Sequence, residues 1–597
     1  MYAFFHFLGE AVLFGRLKNF QYFFAPIAGY ALYAYLFFFL FHLTTHPLAV
    51  IGVTCFLATG SIFLFFKRKK FPSITYFLSV LLAAVFSIYV AYVLSPVEVN
   101  GHLYIEAPLF DHMKTAITAS IVNNGIPVIN PFAAFPFKLH YYFLSFVPSA
   151  SIKILFGISA YEAEIVSTML TALIGLVTIF GTVCILKGKE ISPKEIFLGG
   201  LLLCTATVGT HWSFMTGVHG FDTYLRTLFW TPHTIIATSC LVLVLVLIYQ
   251  TGYRLRWLLA LLLAVTAGIS IYIAIVAALG IGLFILMDIA QNTSKKKTLQ
   301  QWLPVILLSA LLALPFLFNQ AGVSSEKFPV AFSIYHWTLL KNPFVQIVGF
   351  LTIYYFSQAP ALYIINLVSL RTWALKKYAV FYLVIFSSMF VTCFFRTTID
   401  NNDLGWRAIF VSIFLLIIFS VYWINQTKNK RLKILFILLV LTSCDLPFTA
   451  LERNHLERKR TKELSPQSIR AIQQHVSTSD YFLNNVHKYF YLPDGKHWDG
   501  NLEFMIMTER KSCYSSLVGI RAYANKKLSP FAAYIGTIFS GTPTSQDILE
   551  ARRIFCSKFI FHYTDPNFEK EEMLQKAGLE KIYQNEQIKI YQLSSSI

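Results

Sequence analysis

Residues 94–142 read LSPVEVNGHLYIEAPLFDHMKTAITASIVNNGIPVINPFAAFPFKLHYY, a long polar stretch that follows an apolar run. It carries Glu98, Glu106, Asp111, His112, Lys138 and His140. Connections beyond roughly 12–15 residues are usually functional or disordered, and the proline and aromatic content argues against disorder. Residues 111–124 are expected to form a short helix along a membrane surface, stopped by Asn123-Asn124-Gly125. A loop of this kind has meaning only against what surrounds it.

What surrounds it is apolar. The 597 residues are 56% hydrophobic and 13% charged, with mean hydropathy +0.59. A soluble domain carries about 25% charged residues, so the chain is a multi-pass membrane protein. The net charge of +19 comes from basic runs between apolar spans, the pattern of cytoplasmic anchors. No basic recognition module accompanies it, and nucleic-acid binding is excluded. The eight cysteines include no CxxC pair and no metal-like spacing with histidine. Six lie in apolar spans as small buried residues, whereas Cys513 and Cys556 fall in the polar tail and pair only if that tail is extracytoplasmic. At the N-terminus the charges follow the apolar part, the wrong order for a cleaved signal peptide, so this segment is expected to be retained.

Spans of about 20 apolar residues, oriented by Lys and Arg, then order the chain. Arg16 and Lys18 place the N-terminus inside, 21–43 crosses, and 48–66 returns to Lys67-Arg68-Lys69-Lys70. Span 73–94 delivers the polar loop to the outer face. Residues 139–157 are assigned to a surface or re-entrant helix, because a crossing there would put Lys187 and Lys189 outside; 162–186 is the next span. Spans at 195–211 and 233–250 follow. The run 257–290 has inside signals at both ends and must cross twice, turning near Ala267-Gly268. Spans at 302–318, 346–370, 378–395, 408–425 and 432–449 complete about thirteen helices.

The expected architecture is an α-helical polytopic membrane domain over 1–450, with an outer catalytic loop over 95–160, and a C-terminal extracytoplasmic α/β domain over 451–597. In that tail SIRAIQQHV and DILEARRIF read as helices, DYFLNN and KFIFHYT as strands, and KIYQNEQIKIYQL as a hairpin. Its basic opening, LERNHLERKRTKELSP, departs from the inside rule, as whole translocated domains do, and can lie on anionic headgroups.

This orientation collects the informative polar residues on the outer face. The 94–142 stretch offers Glu106, Asp111, His112, Lys138, His140, Tyr141 and Tyr142; residues 212–233 offer Asp222, Arg226, Trp230 and His233; residues 396–407 offer Asp403 and Arg407. Ionisable groups at membrane depth are expensive and point to function. A carboxylate can take a proton from an acceptor, an Arg can hold a phosphate leaving group with its fork, and aromatic rings can stack on sugars. Each residue also has a plainer reading. Asp111 can cap the following helix, Arg407 can be a salt-bridged interfacial residue beside Asp403, and His233 can be polar packing. His140, Tyr141 and Tyr142 can belong to an interfacial aromatic belt. Glu98 and Glu106 can be solvated loop charges, and Asp222 with Arg226 an i,i+4 pair. No cofactor is implied; carboxylates with His are compatible with a divalent cation, though no ligand spacing demands a metal.

An acidic residue in the first large outer loop, surface helices after it, about thirteen spans and an outer α/β tail resemble the GT-C glycosyltransferase superfamily. So do Asp111-His112 with the Asn124-Gly125-Ile126-Pro127 turn and LHYYF, WTPH over 230–233, and NDLGWRA over 402–408. In the tail, TERKSCY and the closing IYQNEQIKIYQL are similar to those of poorly characterised bacterial members. The resemblance implies a bacterial plasma-membrane enzyme performing inverting transfer from a polyprenyl-phosphate sugar to a lipid, glycan or protein acceptor. It also implies membrane lipids and, for an envelope complex, other proteins as partners. Asp111 matches the loop carboxylate that acts as base, with His112 where a second acidic residue often stands. Glu106, Lys138, His140, Tyr141, Trp230, His233, Asp403 and Arg407 are the expected substrate-binding residues. The alternatives are a non-catalytic scaffold of the same fold and a transporter of lipid-linked intermediates; the latter is disfavoured by the absence of an internal repeat.

Overall fold

The computed structural model describes the chain apart from residues 14–15, 18–19, 69–71, 96, 100–101, 105–112, 136, 206–223, 321–329, 333–340, 350–358, 371–376, 398–402, 443–463, 486–501, 516–530 and 595–597. Among the described residues, eight helices are long and apolar enough to cross a membrane, and four shorter apolar helices accompany them.

The chain opens with α1 (Tyr2–Leu13), α2 (Gln21–Leu43), α3 (Pro47–Arg68) and α4 (Ile74–Leu94). Helix α1 was not anticipated. It packs on α2 at a backbone-to-backbone crossing built from two glycines: a Cβ on Gly9 would stand 1.7 Å from the Ala25 carbonyl oxygen, and one on Gly29 would stand 1.9 Å from that of Phe5. Where lipid replaces water, helix association rests on such close packing. A bond from Tyr76 to His6 Nδ1 at 2.9 Å also ties α1 to α4.

After α4, strands β1 (Val97–Val99) and β2 (His102–Tyr104) form an antiparallel pair. Helix α5 (Met113–Asn124) then ends at Gly125, whose φ of +75° satisfies the left-handed turn that glycine adopts without strain. Residues 137–139 pair back on 128–130 as the arms of a hairpin, with Asn130 N–H donating to the Phe137 carbonyl and Leu139 N–H to that of Val128, both at 2.9 Å. Helix α6 (Phe146–Phe156) has 11 residues, about 16 Å at the α-helical rise and too short to cross. It leaves the crossing to α7 (Ala160–Lys187), which is opened by a Ser159–Glu162 capping box.

Helices α8 (Pro193–Thr205), α9 (Tyr224–Trp230), α10 (Pro232–Thr251), α11 (Arg256–Ile269), α12 (Ile271–Gln291) and α13 (Lys295–Gln320) follow. The long apolar run does divide in two, but at Ser270 (φ −154°, ψ 109°) and not at Ala267-Gly268. Gly268 serves packing instead: its carbonyl accepts from Leu144 N–H at 3.1 Å, and a Cβ there would meet Leu144 Cδ2 at 2.8 Å. Then come α14 (Pro343–Gly349), α15 (Pro360–Leu370), α16 (Ala379–Phe394), α17 (Asp403–Gln426) and α18 (Lys430–Thr442). Between them, β3 (Val330–Phe332) pairs antiparallel with β4 (Phe395–Thr397). Helices α7 and α10 are apolar on every side and almost wholly buried, as that composition requires. Helix α3 turns most of its surface outward, presenting Phe56, Phe63 and Phe66 where lipid would lie.

The C-terminal unit is a five-stranded sheet, ordered β6-β5-β7-β9-β8, from β5 (Tyr481–Asn484), β6 (Lys511–Ser512), β7 (Lys558–His562), β8 (Leu579–Gln584) and β9 (Ile588–Leu593). Strands β6, β5 and β7 run parallel, and β8–β9 is the expected hairpin, antiparallel to β7. Helices Pro466–His475 and Ser545–Arg553 fall on the two predicted helical patches. A disulfide joins Cys513 to Cys556.

Candidate active site

Four side chains from four elements meet at the end of the bundle where the 94–142 stretch emerges. Arg407 stands one turn into α17, His233 in the first turn of α10, Tyr272 in the first turn of α12, and Tyr142 in the segment between α5 and α6. All four are buried, with Arg407 only 6% exposed.

Local sequence explains each placement. Helix α9 stops at Thr231, Pro232 opens α10 with a ring preset for helical φ, and His233 follows at once. Ser270 breaks the apolar run and puts Tyr272 at the mouth of α12. The bond from Leu144 N–H to the Gly268 carbonyl ties the chain two residues beyond Tyr142 to α11. Helix α17 is fixed against α16 by Thr392 Oγ1 donating to the Gly405 carbonyl at 3.2 Å and Ser388 Oγ donating to that of Ala408 at 2.6 Å. These bonds bracket Arg407 along the helix.

Arg407 Nη1 lies 3.0 Å from His233 Nε2 and donates to the Tyr142 hydroxyl. A guanidinium has only donors, so Nε2 must be the acceptor, and the imidazole is the neutral tautomer with its proton on Nδ1. The guanidinium carbon lies 5.2 Å from the Tyr272 ring centroid and 5.7 Å from that of Tyr142. These are cation–π distances. The Tyr142 ring is stacked on Tyr141 with centroids 4.0 Å apart. Among the described contacts, this buried cation faces two aromatic rings, the Tyr142 hydroxyl and the His233 imidazole. A cation held in place in this way is preorganised to meet negative charge.

The expected residues therefore divide. Arg407, His233 and Tyr141 come together through Tyr142. His140 is beside them in the chain but turns to α13, its Nδ1 lying 3.0 Å from the Asn319 carbonyl oxygen. Lys138 is exposed on the hairpin, bridged by backbone to Ile129, and is not part of the cluster. Asp111, His112, Glu106 and Asp222 lie outside the described residues, as do the side chains of Trp230, Asp403 and Arg226. Tyr272 was missed; its signal was a lone tyrosine just past the break in an apolar run. Glu164 was missed as well: it is buried on α7 and accepts from Thr118 Oγ1 of α5 at 2.5 Å. Among the described residues no group of three or more His, Cys, Asp or Glu is disposed to hold a metal ion.

Comparison with known proteins bears on the fold. Residues 459–592 match the family model of the Y4nK C-terminal Rossmann-like domain. The chain is similar to the uncharacterized protein y4nK of Sinorhizobium fredii, 21% identical over 509 residues, covering 77% of this chain and 76% of that one. Among solved structures, it superposes on the arabinofuranosyltransferase AftD from Mycobacteria with TM-score 0.50 at 11% identity, over 86% of this chain and 40% of that one. It is also similar to ArnT from Cupriavidus metallidurans, solved bound to undecaprenyl phosphate, with TM-score 0.45 at 10% identity, over 87% of this chain and 98% of that one. The protein is a multi-pass membrane protein with a GT-C-like fold and a C-terminal sheet-containing domain.

Proposed function

We propose that this protein is an inverting membrane glycosyltransferase, taking a sugar from a polyprenyl-phosphate donor to a lipid, glycan or protein acceptor on the outer face of the membrane. The observation that carries the reading is the buried Arg407, set among Tyr142, Tyr272 and His233 at the loop-bearing end of the bundle. A buried, preset cation suits a phosphate whose negative charge grows as its bond to sugar breaks. In the reaction an acceptor oxygen bonds to the anomeric carbon and the anomeric carbon–oxygen bond to phosphate breaks. The electron pair leaves with the phosphate toward Arg407. The acceptor proton passes to a carboxylate on the opposite side of the sugar, the role proposed for Asp111 with His112 beside it. Tyr141 and Trp230 offer rings for the sugar, and the C-terminal domain with its Cys513–Cys556 disulfide suits an oxidising, extracytoplasmic compartment.

The test is transfer by purified, reconstituted protein from polyprenyl-phosphate sugars, with Asp111→Asn and Arg407→Ala alongside. Loss of transfer in both variants, with normal amounts of folded protein, is the expected result. Undiminished transfer in both sinks the assignment, and movement of an unaltered substrate across the vesicle would replace it with transport.

A further inference from the structure

The tail motif TERKSCY, Thr508–Tyr514, takes no part in the chemistry proposed above, yet its residues bind several different elements. Glu509 belongs to the C-terminal domain, but its carboxylate accepts from Lys153 Nζ of α6 at 2.9 Å and from the Ala160 N–H that begins α7 at 2.6 Å. It reaches them from a left-handed backbone, φ +57°, which costs a non-glycine residue about 1–2 kcal/mol. Two charge-assisted bonds hold that conformation in place. Arg510 turns the other way, donating through Nε to the Val476 carbonyl at 2.5 Å and through Nη2 to that of Gln473 at 2.7 Å. Lys511 and Ser512 form β6, the edge strand of the sheet.

That edge is occupied from the membrane domain. Ser512 N–H donates to the Pro131 carbonyl at 3.0 Å, Ala134 N–H to that of Cys513 at 3.2 Å, and Ser515 N–H to that of Phe132 at 2.9 Å. The 131–134 segment is thus an added strand, and Ala133 and Ala134 belong to the C-terminal domain's own apolar core. Cys513, at the centre of this contact, is linked covalently to Cys556 just before β7. A few residues beyond the hairpin come Tyr141 and Tyr142, stacked on each other, and Tyr142 meets Arg407.

We infer that Thr508–Ser515 is a positioning strap. Through it the C-terminal domain holds the hairpin that leads to Tyr142, and thereby Tyr142 itself, in register with Arg407. Glu509 is its positioning residue, acting through the α6–α7 corner, and the disulfide keeps β6 in place to receive the hairpin. The catalytic consequence rests on the transferase reading; the mechanical one does not. Misplacement of about 1 Å at a reacting centre can cost on the order of a hundredfold.

The experiment uses full-length protein in lipid nanodiscs. It compares wild type, Glu509→Ala, Glu509→Gln and wild type reduced in place with a phosphine, and reads hydrogen exchange of the peptide covering 129–144 together with transfer kinetics. Glu509→Ala and reduction are expected to speed exchange of that peptide by about tenfold or more and to lower kcat by roughly ten- to a hundredfold, with KM for the donor unchanged. Glu509→Gln keeps an acceptor for Ala160 and should fall between wild type and Glu509→Ala. If Glu509→Ala fails to accumulate, Lys153→Met removes the partner alone and the same exchange is read. Unchanged exchange in the Glu509 or Lys153 variant and after reduction overturns the strap. Faster exchange with unchanged kcat overturns its positioning role. If wild type transfers no sugar from any donor while exchange responds as expected, the transferase reading fails and the strap stands.

Discussion

Arg407 Nη1 and His233 Nε2 lie 3.0 Å apart in a buried setting, although 174 residues separate them in the chain. Because the guanidinium only donates, the pair defines a direction: the imidazole is a fixed, neutral acceptor that aims the cation. The pair also joins two motifs, WTPH and NDLGWRA, that are individually too short to identify anything.

Removal of the cation should be the most damaging change at this site. Arg407→Ala and Arg407→Lys are both expected to lower transfer, Ala by on the order of 10²–10³-fold as when a preset donor to a developing charge is lost. Lys keeps charge but cannot reproduce the planar fork that serves an anion, His233 and Tyr142 together. Rate measurements with saturating donor check this, and a Lys variant with wild-type rate would show that only charge matters.

At His233 the prediction concerns an acceptor. His233→Leu leaves a buried guanidinium N–H without its imidazole partner, a loss of about 1–3 kcal/mol. His233→Gln restores an oxygen and should recover part of it. Thermal unfolding of the two variants in one detergent distinguishes them, and equal melting temperatures would deny the hydrogen bond any weight.

Tyr272 and Tyr142 both bring a ring to the Arg407 guanidinium. Tyr272→Leu forfeits a cation–π contact of roughly 0.5–2 kcal/mol. Tyr142→Phe keeps its ring but removes the oxygen that accepts from Arg407, a loss of about 1 kcal/mol or more. Donor affinity and stability of the two variants check this, and a Tyr142→Phe protein that matches wild type in both would leave the hydroxyl without a role.

The crossing of α1 and α2 predicts a purely structural sensitivity. Gly9→Ala and Gly29→Ala each drive a methyl into backbone, not into a yielding side chain, so the helices must part. A loss of at least about 1–3 kcal/mol is expected from overpacking. Gly52→Ala, where a Cβ meets nothing within 4 Å, is the control. Melting of purified variants provides the measurement, and indistinguishable curves for all three would contradict the crossing.

Helix α5 ended where Asn-Asn-Gly said it would, and the β8–β9 hairpin fell on KIYQNEQIKIYQL. Such features are legible because turn chemistry and hydrophobic period act within a few residues. Gly268 shows the limit: the sequence marks it as a turn, but what it supplies is room for Leu144. Tyr272 was illegible for another reason. Among 32 tyrosines in an apolar chain, nothing local separates a ring that faces a cation from one that faces lipid.

Composition and period alone imply a membrane bundle, a short helix in the long polar loop and an α/β tail, since each follows from the solvent a stretch of side chains can tolerate. That Tyr142, His233, Tyr272 and Arg407 share one pocket, and that the tail grips the hairpin leading to it, emerged from the folded chain. Those are contacts between residues far apart in the chain. Their free energy depends on which surfaces meet, and no local pattern of residues encodes that.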